Sequence, residues 1–233
     1  MDNIPTDVII YAVIAAGLLI WLRNILGTKS GSTRQRPNPF AVGPEGTKAL
    51  TPDAAAAQRA EPIKTGSTTV DAAMVQISIA DRTFDAGRFL ENAKDAFAIV
   101  VTAFADGDRS TLKDLLIPEV LKSFEGALDA REKAGQKVLT EVLSVREANI
   151  IEAKLTGNKA FVTIRFKADE TYAMTDKDGK TIAGNPDRVV TMSDVWVFTR
   201  DIKSADPRWF VAETRDDVKE EGGMTLPDAG ISV

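Results

Sequence analysis

Apolar residues follow three rhythms along this chain, and each predicts a different element. From Val8 to Leu22 they run unbroken by charge, with Trp21 and Arg23 closing the run. At about 1.5 Å of rise per residue a helix over this run covers roughly 22 Å, and one extended over residues 4–25 covers about 33 Å, which spans a bilayer core of about 30 Å. Residues 4–25 are therefore expected to form a transmembrane anchor, with Val8, Ile9, Ile10, Leu18, Leu19, Ile20 and Trp21 in lipid or at its interface. A cleaved signal peptide would need a basic lead, whereas residues 1–7 hold Asp2 and Asp7 and neither Lys nor Arg.

The second rhythm is helical. Phe89, Ala93, Phe97, Val101 and Phe104 recur every three or four residues, widened by Leu90, Ala96 and Val100, and Asp85 precedes them as a cap. Gly107 ends this helix and Asp108 caps the next, which buries Leu112, Leu115 and Leu116. Pro118 then opens a third helix carrying Val120, Leu121, Phe124 and Leu128. A shorter helix is expected over Asp71–Ala80, with Met74, Ile77 and either Val75 or Ile79 on its apolar face. Its small face and the break at Asp81–Phe84 suggest a detachable segment. On that reading Met74→Asp with Ile77→Asp leaves the domain folded and weakens contact with a partner or membrane.

The third rhythm alternates. It predicts strands at 138–145, 149–156, 159–172, 189–200 and 209–214, with Ile151, Ala153 and Leu155 sharing one face. Gly157-Asn158 and Asp206-Pro207 read as turns. Asp176-Lys177-Asp178-Gly179 lacks the further ligands of a calcium loop and is also read as a turn. Helices followed by antiparallel strands make an α+β domain over residues 71–215, a curved sheet with helices on one face. Residues 26–70, rich in Gly and Pro, are expected to be a flexible linker, and 216–233 a disordered acidic tail. Gly43-Pro-Glu-Gly46-Thr-Lys48 has the wrong spacing for a phosphate loop, and no strand precedes it.

Charge and composition narrow the chemistry. The 233 residues carry a net charge of −5, which disfavours a nucleic-acid partner. There is no His and no Cys. That removes histidine acid–base catalysis, the usual nucleophile pairs and the usual zinc sites, so no catalytic, cofactor or metal residue is assigned. A His-free enzyme would have to work with groups such as Asp194, Arg165 and Tyr172. The charges after the apolar run are Arg23, Lys29, Arg34 and Arg36, with no acid until Glu45. Positive flanks stay in the cytoplasm, so a single pass with the N-terminus outside and the domain in the cytoplasm is expected. An apolar pocket or groove is expected between the phenylalanine helix and the sheet, lined by Phe89, Phe97, Val101, Phe104, Trp196 and Phe198. A lipid or peptide ligand for it is the alternative function.

Two stretches carry a family resemblance. Phe89-Leu90-Glu-Asn-Ala93-Lys-Asp-Ala96-Phe97 with Ala103-Phe104-Ala-Asp-Gly107-Asp108, and Asp194-Val-Trp196-Val-Phe198-Thr-Arg200 with Asp206-Pro207-Arg-Trp209, resemble the C-terminal domain of the Tim44-like family. The resemblance covers about Asp71 to Thr214. It implies the nuclear-transport-factor-two-like (cystatin-like) α+β fold, with a large apolar pocket and first helices that touch membrane. It also implies a non-enzymatic adaptor that binds a chaperone or translocase component, in protein translocation or envelope assembly. The apolar run in place of a long charged region resembles the bacterial, membrane-anchored type, which implies the bacterial inner membrane.

Overall fold

The computed structural model describes residues 38–40, 64–217 and 223–230. The expected anchor, 4–25, lies outside them. Among the described residues no helix is long and apolar enough to cross a membrane.

Four helices come first: α1 (Thr68–Ala80), α2 (Ala86–Asp106), α3 (Arg109–Leu115) and α4 (Pro118–Lys133). Polar caps fix most of their starts. The Ser67 hydroxyl accepts from the Val70 N–H, the Asp85 carboxylate from Arg88 N–H, and the Asp108 carboxylate from the N–H groups of Ser110 and Thr111. Pro118 opens α4, where a missing N–H costs nothing. Gly107 stops α2 at φ 73°, a left-handed conformation that a side chain resists.

The strands follow as a meander: β1 (Lys137–Thr156), β2 (Lys159–Thr175), β3 (Thr181–Asp201), β4 (Phe210–Asp216) and β5 (Ala229–Gly230), antiparallel and in sequence order across the sheet. One face of β2 presents Ala160, Val162, Ile164, Phe166, Ala168 and Tyr172 to the core, and β3 adds Trp196 and Phe198. The α2 stripe packs into this face. Phe97 lies 4.8 Å from both the Phe166 and Trp196 rings.

Three features depart from the alternation. The strands expected at 138–145 and 149–156 are one strand, β1, with bulges near Leu143, Arg146 and Ile151. Each bulge advances the inward face by one residue, so Ile150 is buried in place of Ile151. Next, β3 begins at Thr181, well before the expected 189. It does so through Gly184, whose φ is 72° and whose absent Cβ would lie 2.2 Å from the Tyr172 carbonyl oxygen. Finally, two segments outside the expected domain dock onto it. Phe40, from the expected linker, and Met224 and Leu226, from the expected tail, all join the core.

Candidate functional site

The six residues expected to line a pocket are buried, each at most 4% exposed. Phe97, Val101, Trp196 and Phe198 fill the space between α2 and the sheet, and Phe104 packs on Phe124 at 5.0 Å. Phe89 also borders a surface cleft. Met74 and Ile77 are core residues too, at 5% and 0% exposed. Helix α1 has a second apolar side, however. Val75 and Ile79 share a helical stripe with Ala72 and Gln76 and are 48% and 74% exposed.

The three catalytic candidates do not converge. Asp194 pairs with Phe166 across the sheet and faces the core, as does Tyr172. Arg165 points to the opposite face, where its Nε lies 2.8 Å from Asp217 Oδ2. Among the described residues no group of His, Cys, Asp and Glu could hold a metal ion.

An acidic patch that the alternation did not reveal lies on the core-facing side of β2 and β3. Glu170 and Asp194 are 2% and 6% exposed. Burial pushes the Glu170 carboxyl up to about 7, partly offset by the Met224 N–H, which donates to Glu170 Oε1 at 3.2 Å. Burial also pushes Asp194 up to about 7, reinforced by negative charge on Asp216, Glu170 and Asp228, with the Trp196 indole opposing. The segment 223–230 covers this patch as a strap. The Thr214 hydroxyl donates to the Pro227 carbonyl, Asp228 Oδ1 accepts from the Asp216 N–H, and β5 pairs with Glu213 and Thr214.

This arrangement makes stability depend on pH. Both acids sit above their ordinary values when folded, so they favour the folded state in their protonated forms. Their contribution is full below about pH 4, falls as pH rises, and is gone above about 7. Melting temperature is expected to decline over that window, and Glu170→Gln with Asp194→Asn should flatten the decline. A profile unchanged by the double variant would contradict the assignment.

A second site is an aromatic socket beside the α1–α2 junction. Phe40 packs 5.9 Å from both Phe89 and Phe198, and Phe89 lies 4.6 Å from Trp209 and 5.6 Å from Phe84. Asn38 holds the turn. Its side-chain amide donates to the Asp114 carbonyl at 2.6 Å, and its Oδ1 accepts from the Phe40 N–H at 2.9 Å. A cleft of about 110 Å³ continues past the Phe40 ring, bordered by Arg88, Asn92, Arg200 and Pro207. No sequence signal beyond the Asn-Pro turn pair marked this contact.

The family described as the Tim44-like domain matches residues 70–216. The mitochondrial import inner membrane translocase subunit TIM44 of Rattus norvegicus is 22% identical over 60% of this chain and 31% of its own length. The Homo sapiens protein of the same name is 23% identical over the same shares. An uncharacterized protein of Rickettsia prowazekii is 25% identical over 56% of this chain and 52% of its own. The chain thus spans about a third of the mitochondrial relatives and about half of the rickettsial one. The intermembrane-space region of the chloroplast protein ARC6 overlaps 55% of this chain and 95% of its own, at 14% identity and a TM-score of 0.38. That likeness is too low to carry the fold, which rests on the family match and the strand order.

Proposed function

The chain belongs to the Tim44-like domain family, and from that premise we propose that it is a membrane-anchored, non-enzymatic adaptor in protein translocation. Residues 4–25 anchor it in the bacterial inner membrane, N-terminus outside. The domain on the cytoplasmic side binds a protein partner, a translocase component or a chaperone, and touches lipid. The relatives' description as inner membrane translocase subunits supports the setting.

The observation that carries the reading is the two-sided apolarity of α1. Val70, Met74 and Ile77 dock the helix on the core, while Val75 and Ile79 remain open on its other side. A stretch this short is marginal as an isolated helix, so the core side holds it in shape and frees the outer side for contact. The contact role expected of Met74 and Ile77 passes on this reading to Val75 and Ile79. Two part-exposed aliphatic side chains are a small contact, worth about 2–4 kcal/mol if fully covered. That suits an adaptor whose main attachment is the anchor, since tethering raises the effective concentration toward membrane-bound partners.

Val75→Glu with Ile79→Glu is expected to keep the melting temperature within about 2 °C, because substitutions at exposed positions usually stay within about 0.5 kcal/mol. The same variant should lose most co-purification of translocase components from solubilised membranes. Unchanged co-purification would sink the assignment of this face. Removing residues 1–27 should release the domain from membranes into the soluble fraction. Retention through salt washing would show that the anchor is not the main attachment.

A further inference from the structure

We propose that the strap, residues 223–230, is a pH-responsive cover. It lies closed on the sheet while Glu170 is neutral and lifts when that carboxyl ionises, with the helices and the sheet still in place.

The strap is lightly fastened. Two of its side chains, Met224 and Leu226, reach the core. The Thr140 hydroxyl of β1 donates to Met224 Sδ at 3.7 Å, and sulfur is a weak acceptor. At the far end β5 is two residues long, and beside it the strap holds one bond from the Thr214 hydroxyl and one from the Asp216 N–H. The strands beneath run for 17 and 21 residues. A segment with so few buried side chains and so short a ladder opens at lower free energy than the sheet it rests on.

One of those few fastenings is an acid. The Met224 N–H donates to Glu170 Oε1 at 3.2 Å, and Glu170 is 2% exposed. Its surroundings do not favour a charge. The groups acting on its neighbour Asp194 of β3 are Asp216 of β4, Glu170 itself and Asp228 of the strap, all of them acids. From α4 comes Arg131, but its Nη2 donates to the carbonyls of Phe104 and Ala105, and its charge acts on Tyr172. An ionised Glu170 under the strap is cut off from water with further acids close by, and lifting the strap returns water to it.

The direction of the response follows. Covered, the Glu170 carboxyl is pushed up to about 7 by burial; uncovered, it returns toward its ordinary range. Closure is therefore firmest at acid pH and loosens as pH rises toward 7. With one proton released, the opening constant rises up to about tenfold per pH unit over that window. Asp228 moves with the strap, so opening also relieves its repulsion of Asp194.

Amide hydrogen exchange of the full chain in detergent tests this, with each rate divided into that of an unstructured peptide at the same pH. The Met224 amide reads the strap and the Ile164 amide reads the sheet. Protection at Met224 should fall at least about tenfold between about pH 5 and 7. At every pH it should stay at least about a hundredfold below protection at Ile164, because the strap opens without the sheet. Glu170→Gln keeps an acceptor for the Met224 N–H and cannot ionise, so it should hold Met224 protection level across the range. Asp228→Asn keeps the oxygen that meets Asp216 and should make the fall shallower. Level protection at Met224 in the unmodified protein would overturn the inference. So would an undiminished fall in Glu170→Gln, or equal protection at Met224 and Ile164, since the strap would then leave only when the domain unfolds. Should Glu170→Gln fail to fold, an undiminished fall in Asp228→Asn overturns the inference in its place.

Discussion

Ile77→Asp is expected to abolish the cooperative fold of the domain. Ile77 is fully buried and sits in the same core cluster as the α2 stripe and the sheet. The substitution removes about 2–3 kcal/mol of apolar burial and forces a carboxylate toward that interior. An unpaired buried charge costs several kcal/mol more, or is neutralised at the cost of a raised pKa. Domains of this size have about 5–15 kcal/mol in total, so most of the margin disappears. Ile79→Asp is the matched control, two residues away and 74% exposed. Chemical denaturation of the two variants should separate them by at least about 4 kcal/mol. If Ile77→Asp melts like its control, α1 is not part of the core, and the detachable segment expected from the sequence alone would stand.

Asp81→Ala should be the next most damaging change. Asp81 sits where α1 ends, and its side chain is 6% exposed. One oxygen accepts from the Thr83 N–H and hydroxyl at 2.9 and 2.6 Å, while the other accepts from Arg200 Nη1 at 2.6 Å. The single residue thus shapes the α1–α2 turn and neutralises a buried guanidinium on β3. Removing it breaks the buried pair with Arg200, a loss that typically costs about 3–5 kcal/mol. Asp81→Ala with Arg200→Met takes away both charges and should recover much of that loss in urea denaturation. A double variant no better than the single would show that the turn, and not the charge, carries the effect.

How much of this was legible in the sequence depended on whether a contact was local. The α2 stripe could be read because Phe89, Phe97 and Phe104 all face the core and no irregularity interrupts their period. The turn glycine Gly107 and the caps Asp85 and Asp108 were equally local signals. Strand β1 reads as two in the sequence because its three bulges break the two-residue period, and a bulge leaves no compositional mark. In α1 the sequence offered Val75 and Ile79 as alternatives for the buried face. Both lie outside, because the face that meets β1 is narrow and takes Val70, Met74 and Ile77.

The socket and the strap were hidden for a different reason. Asn38 meets Asp114, and Met224 meets Glu170, each across a long stretch of chain. A single Phe in a Pro-rich stretch, or Met and Leu in an acidic one, shows no periodicity. Only the folded sheet and helices provide the surface that makes these residues core. Glu170 likewise reads as an ordinary strand position until the strap covers it.

The central claim is that the outer face of α1 is where this adaptor meets its surroundings. A photo-crosslinking residue placed at position 79 of the full chain in intact cells tests it most directly, with the turn position 158 as the reference. The account predicts strong crosslinks from 79 to a translocase component or to lipid, lost when Val75 is changed to Glu, and weak ones from 158. Crosslinks from 79 confined to the chain itself, or no stronger than those from 158, would contradict it.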